Sequence, residues 1–336
     1  MSIAGFGTLA QHLAMQRQMT SVKDDFNRLG QELASGLKSD IGSSVGGDFR
    51  ALNDIERQLT VLDSYDQSTL DAKLFTGAMQ TTLDRLHSMS SNLSESLITT
   101  ASSGTGGSAT TVSDLAMQDF ETMVAALNGR SGDKSMFAGA ATDGAATISA
   151  TDMMTHLSAA VAGSATVNDV ITAIDDWFMA PGGGFETVGY LGSANQLSPF
   201  QLSETESTSV QIKADNAEIR QLLRDTAIAA IANDPGLGLN NTDKLELLDT
   251  AGKAMLANQD AIIQTRANLG YSEERIEIAA AGNAASRASF SMAKNDIVTV
   301  DTTEVAGQYQ AVQVQLEMVY TITARLNSMS LMDYMR

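Results

Sequence analysis

Asp152, His156 and Ser158 bring a carboxylate, an imidazole and a hydroxyl into one short segment. Together those types support nucleophilic attack, in which the imidazole takes the hydroxyl proton, the carboxylate orients the imidazole and separate donors hold the oxyanion. Closeness in sequence supplies none of that geometry. Asp175 and Asp176 add carboxylates, so one rival reading is an enzyme or ligand-binding domain in the middle of the chain. It would gather Asp152, His156, Asp175 and Asp176 around one pocket. Metal and phosphate chemistry find less to work with. His12, His87 and His156 are isolated from one another, none stands at the His-x-x-x-His spacing of helical metal ligands, and cysteine is absent. The stretches Gly104-Thr105-Gly106-Gly107 and Gly182-Gly183-Gly184 lack the Lys-Ser/Thr that follows a phosphate loop and read as plain loops. No catalytic residue, no cofactor and no metal ligand is therefore expected.

The elements carry more. All three prolines, Pro181, Pro199 and Pro235, fall in one interval, which leaves both flanks free to form long helices. At the start, Met15, Met19, Val22, Phe26, Leu29 and Leu33 alternate steps of four and three, one face of a coiled-coil-like helix. Breaks follow near Gly36 and over Ile41 to Gly47. A second stripe runs through Leu52, Ile55, Leu59 and Leu62, then after Gly77 through Met79, Leu83, Leu86, Leu93 and Leu97, as one long helix. The Gly/Ser/Thr-rich stretch Ser102 to Thr111 reads as a breaker. Beyond it Ser113 is placed to cap a shorter helix with Ala116, Phe120, Met123 and Leu127 on one face and Gly129 at its end. Residues from about 130 to 207 are rich in Gly, Ala, Ser and Thr and hold one short amphipathic segment, Val170, Ile174 and Trp177. Alternation at Val210, Ile212 and Ala214 predicts a strand just beyond. Helical period returns at Ile219, Leu222 and Leu223, pauses over Asn233 to Asn241, and restarts where Asp243 and Glu246 stand at capping-box spacing. Leu245, Leu248, Gly252, Met255, Gln259, Ile262, Arg266, Leu269, Glu273 and Ile276 keep a seven-residue register, several of them polar, and Val305, Tyr309, Val312, Leu316, Val319, Thr323 and Leu326 resume it.

The fold class that follows is mainly α: an elongated antiparallel helical bundle or coiled coil formed by both termini, with a small mixed α/β domain inserted in the middle. Residues 1–45 read as an N-terminal assembly helix, 46–135 and 208–290 as the two halves of a helical rod, 136–207 as an inserted outer domain, and 291–336 as a C-terminal assembly helix. Aromatics make up 5% of the 336 residues and charged residues 18%, thin for several globular cores but enough for helix seams of Leu, Ile, Val, Met and Ala. The net charge of -19 and pI near 4.4 argue against nucleic acid and acidic membrane surfaces, which both need clustered Lys and Arg. No stretch has the roughly 18 consecutive apolar residues of a membrane span, so no membrane insertion is expected. The first residues lack a basic run ahead of an apolar core, so neither is a cleaved secretory signal. Residues 52–100 and 214–285 are expected to bury their stripes within one molecule. The charge-poor ends, 1–40 and 290–336, are expected to bury theirs between molecules.

The two ends also carry motifs. Glu32-Leu33-Ala34-Ser35-Gly36-Leu37-Lys38 resembles the N-terminal turn of the bacterial flagellin family. Arg266-Ala267-Asn268-Leu269-Gly270 followed by Arg275-Ile276-Glu277 looks like that family's Leu-Gly-then-Arg signature, and Asp301, Glu304 and Ala306 match its Asp-x-x-Glu-x-Ala segment. Asn128 to Gly139 and the ending Met329 to Met335 resemble the junction-protein branch of the family, which links hook to filament; a filament flagellin with a short outer domain is the alternative. The resemblance implies a structural, non-enzymatic subunit of the bacterial flagellum, extracellular, and exported by the type III route without a cleaved signal. Implied partners are copies of itself, the hook-side junction protein (hook-associated protein 1), the filament flagellin and an export chaperone. The expected assembly residues are Phe6, Leu9, Leu13, Met19, Phe26 and Leu29 near the start and Val312, Leu316, Val319, Leu326, Leu331 and Tyr334 near the end.

Overall fold

The computed structural model describes residues 4–104 and 106–334, the side chains of residues 4–9, 11, 12, 106 and 326–334 excepted. In chain order the elements are α1 (Ala4–Ser35), α2 (Ile41–Ser44), α3 (Arg50–Ser103) and α4 (Gly106–Leu127), then a hairpin of β1 (Arg130–Ser131) and β2 (Lys134–Ser135). There follow α5 (Ala150–Val161), α6 (Val167–Met179), a second hairpin of β3 (Phe200–Gln201) and β4 (Ser207–Thr208), α7 (Ala217–Ile231), α8 (Asn241–Val298) and α9 (Thr302–Tyr334). The chain is mainly α, as its periodicity predicts. Among the described residues β-structure amounts to two antiparallel two-stranded sheets in the middle. Two compact units result: residues 1–62 with 285–336, and residues 63–284.

In the unit of 63–284 the seven-residue registers meet in one core. Met79, Leu83, Leu86, Leu93 and Leu97 of α3 are buried there, as are Phe120 and Met123 of α4 and Leu248 and Met255 of α8. Each such side chain removed from water contributes roughly 1.5–3 kcal/mol. Gly252 sets how closely α8 approaches α3. A Cβ there would stand 2.9 Å from Ile98 and 3.0 Å from Leu97, and the Ser94 hydroxyl donates to the Gly252 carbonyl at 2.8 Å. The amphipathic segment forms α6, which a Thr166–Asp169 capping box starts and which buries Val170, Ile174, Trp177 and Phe178.

Four local expectations are corrected. The Gly/Ser/Thr-rich stretch is not a loop beyond Gly104: α4 already begins at Gly106, because Ala109 and Ala116 bury against the core and packing outweighs weak propensity. Ser113 therefore lies inside α4 and caps a different helix. Its hydroxyl donates to the carbonyls of Ala229 and Ala230 (2.8 and 3.0 Å) at the end of α7, where carbonyls lack intrahelical partners. The reciprocal cap of α8 joins Asn240 and Asp243, whose backbone N–H groups each donate to the other's side chain, not Asp243 and Glu246. Finally, Val210 and Ala214 are buried and Ile212 half-buried, as an alternating strand requires, yet β4 ends at Thr208 and no strand pairs with this segment.

Candidate assembly surface

In the unit of 1–62 and 285–336, α1 and α9 pack against each other. Phe26 stacks on Tyr309 with ring centroids 4.6 Å apart, and Gly30 is small enough to leave that ring room. Further along, Met15 and Met19 face Thr323 across a cavity of about 20 Å³. Rising numbers on α1 meet falling numbers on α9, so the pair is antiparallel. Val22 and Leu29 of α1 and Val305 and Val319 of α9 are buried.

The turn after α1 is tied to the break before α9. Gly36, at φ +71°, reverses the chain in the left-handed region that costs other residues about 1–2 kcal/mol. Its carbonyl accepts from Val300 N–H at 3.0 Å, and Lys38 N–H donates to the Val298 carbonyl at 2.9 Å. The Lys38 ammonium adds a bond to the Ile297 carbonyl at 2.7 Å, near the carbonyl-rich end of α8. Glu32, buried, accepts from Ser39 N–H at 3.0 Å and from Arg28 at 3.3 Å. On the other side Asp301 accepts from the N–H groups of Glu304 and Thr303, bonds that hold its carboxyl below the usual carboxylate range and start α9. The motif from Glu32 to Lys38 and the one at Asp301 thus serve one clasp.

The expected assembly residues fall into three groups. Leu29 and Val319 are buried within the pair of end helices, while Met19, Phe26, Val312 and Leu316 are half-buried. Leu13 is 45% exposed. The side chains of Phe6, Leu9, Leu326, Leu331 and Tyr334 lie outside the described residues. Sequence reasoning missed a second face of α9. Val314, Met318 and Ile322, at four-residue steps, are 53%, 55% and 47% exposed, although α1 already covers another side of the helix. The four-residue spacing was the available signal, masked by the stronger heptad beside it.

Of the triad-like residues and added carboxylates of the insert, Asp152, Ser158 and Asp175 answer to structural partners. Asp152 accepts from the Ser149 hydroxyl at 2.7 Å at the start of α5, Ser158 donates to Asp234 at 2.7 Å, and Asp175 accepts from Arg224 at 2.8 Å. His156 and Asp176 are exposed. Among the described residues no group of three His, Cys, Asp or Glu side chains is arranged to hold a metal ion, and no helix is long and apolar enough to cross a membrane.

Residues 245–335, nearly all of α8 and α9, match the family model of the bacterial flagellin C-terminal helical region. A solved structure from Vibrio parahaemolyticus, a provisionally named flagellar hook-associated protein, shares the fold with a TM-score of 0.51 at 11% identity, over 74% of this chain and 96% of that one. No curated protein matches the chain. The class so defined is that of helical structural components of the bacterial flagellum. Within it, the chain is similar to bacterial flagellin over the C-terminal helical region, in α8 and α9. Such a component works by associating with copies of itself and with other flagellar proteins.

Proposed function

We propose that this chain joins the flagellar hook to the filament, the role of hook-associated protein 3, and that it has no catalytic activity. The observation that carries the proposal is the uncovered apolar face of α9, Val314, Met318 and Ile322, on a helix whose other side is committed to α1. A helix apolar on two sides needs a second partner, and a neighbouring subunit supplies one. The preference for junction over filament rests on the segments Asn128–Gly139 and Met329–Met335, which resemble the junction protein. In the first, Phe137 is fully buried and Gly139 is wedged against two carbonyls, so the resemblance falls on residues with a packing role. The Vibrio chain's name, that of a hook-associated protein, is in keeping with this.

On this reading residues 1–45 and 291–336 are the assembly segments, 46–135 and 208–290 form the rod, and 136–207 face outward. Partners are other copies, hook-associated protein 1, the filament flagellin and an export chaperone, and the subunit works outside the cell after export without a cleaved signal. Immunogold electron microscopy of flagella with antibody against residues 140–200 tests it. Label confined to the hook-filament boundary is expected. Label along the whole filament makes the chain a filament flagellin instead.

A further inference from the structure

Residues 209–212 follow β4 and belong to neither sheet. Val210 is buried and Ile212 half-buried against the core of the 63–284 unit while Gln211 between them is exposed, the side-chain alternation of an extended segment. From Ser209 to Ile212 no backbone N–H or C=O makes a hydrogen bond within the described residues. Pairing resumes only beyond: Lys213 N–H donates to Asn216 Oδ1 at 3.1 Å and Ala214 N–H to the Phe137 carbonyl at 2.9 Å. Backbone groups are obligatory hydrogen-bonding groups, and those of four successive residues have no partner among the described residues.

The unpaired segment lines a groove of about 540 Å³ whose far wall is Asn268, Leu269 and Ser272 of α8. Asn268 and Ser272 stand one helical turn apart. Asn268 Oδ1 accepts from Gln264 at 3.1 Å, which leaves its NH₂ to donate. The groove's two charged side chains are already engaged. Lys213 donates to the Ala194 carbonyl at 2.9 Å, and Glu218 Oε1 accepts from Asn216 and Thr265 at 3.1 and 3.0 Å.

We propose that this groove takes an extended, uncharged segment of another polypeptide, which adds as a strand to residues 209–212 and hydrogen-bonds across to Asn268 and Ser272. The row of unpaired backbone groups selects a peptide backbone as the ligand, since strand addition draws its affinity from main-chain bonds. At about 3.3 Å per residue the open edge spans about 13 Å, enough for a short segment. Charge complementarity selects uncharged side chains, because a buried Lys or Glu would lose its hydration and find no free counter-charge.

The test is amide hydrogen exchange on the full chain with acetyl-Thr-Val-Thr-Val-Thr-amide as probe, beside the same peptide N-methylated along one edge. Exchange at alternate N–H groups of residues 209–212, those on the edge facing α8, is expected to slow by about 10-fold or more at saturating peptide, with the N-methylated peptide binding at least about 10-fold more weakly. The double variant Asn268→Ala, Ser272→Ala should weaken binding several-fold while leaving exchange elsewhere unchanged. Equal binding of the two peptides, or no slowing at the highest soluble peptide concentration, overturns the proposal. So does slowing by maltose in place of peptide, which would make the ligand a neutral sugar. Slowing that follows protein concentration alone would make the occupant a second copy and overturn the partner named here.

Discussion

Asp225 has no exposed surface, yet it is a carboxylate in a helix that packs on two others. Arg224 lies 2.7 Å away and reaches Asp175 of α6 at 2.8 Å, while Asn258 of α8 donates to Asp225 at 2.7 Å. Burial pushes the carboxyl above the usual carboxylate range, up to about 6, outweighing Arg224 and Asn258. The partners of this pair move in opposite senses of charge. Burial alone would lower Arg224, but Asp225 and Asp175 together raise it, whereas at Asp225 burial outweighs both Arg224 and Asn258. Between the ordinary carboxylate range and about pH 6 the folded chain therefore holds a proton on Asp225 that the unfolded chain has released. This group's contribution to stability is present in acid and is lost as pH rises through about 6. Denaturant titrations of wild type and Asp225→Asn at about pH 4.5 and 7.5 should show wild type gaining on the variant by on the order of 2 kcal/mol on acidification. Parallel profiles would show that the site does not titrate. Nothing in the sequence pointed here, because Asn258 is 33 positions away and Arg-Asp neighbours in a helix are ordinary. Gly139 makes a second case. At φ +61° an added Cβ would stand 2.5 and 2.9 Å from the carbonyls of Asn195 and Ser193, whereas Gly132, at the same φ, meets nothing within 4 Å. Gly139→Ala should cost about 3 kcal/mol and Gly132→Ala about 1 kcal/mol in chemical denaturation, and equal costs would remove the wedge as the cause.

Long helices were legible in the sequence because burial and period coincide. In the register of α8, Leu248, Gly252, Met255, Ile262, Leu269 and Ile276 are buried, while Leu245 and the polar members Gln259, Arg266 and Glu273 are half-buried at its margin. Shorter elements were not. The first helix of the insert, α5, buries Met153, Leu157 and Val161, spaced four apart amid Ala, Ser and Thr, a stripe too short and weak to separate from a loop. Ser113 misled because a serine ahead of an apolar run is also what a helix needs at a tertiary contact. Gly252→Val tests the α3–α8 approach: overpacking against Leu97 and Ile98 should lower stability by about 1–3 kcal/mol, read as a shift of the denaturant midpoint with unchanged slope. In the end helices, Leu316→Asp places a carboxylate on a half-buried position of α9. It should leave the 63–284 unit folded by circular dichroism and block incorporation into flagella. Normal motility in cells carrying only that variant would count against the assembly role of this helix.

At the scale of the molecule, a net charge of -19 sets copies of the chain against one another. Apolar faces such as Val314, Met318 and Ile322 must meet in spite of that repulsion. Raising ionic strength from about 0.01 to 0.15 M shortens the screening length from about 30 to 8 Å, so self-association followed by light scattering should rise several-fold. A fall would point to contacts held by opposite charges.

The clasp between Gly36, Lys38 and the stretch from Ile297 to Val300 joins positions as much as 264 residues apart, Gly36 to Val300. On a ribosome making about 5–20 residues per second, α1 emerges roughly 10–50 s before the residues that will hold it. Throughout that interval Phe26 has no Tyr309 to stack on and Leu29 no α9 beside it, while the pieces of the 63–284 unit arrive one after another. Synthesis order alone therefore keeps the first helix single until the chain is nearly finished, which gives a factor that recognises unpaired apolar helices a fixed time in which to act.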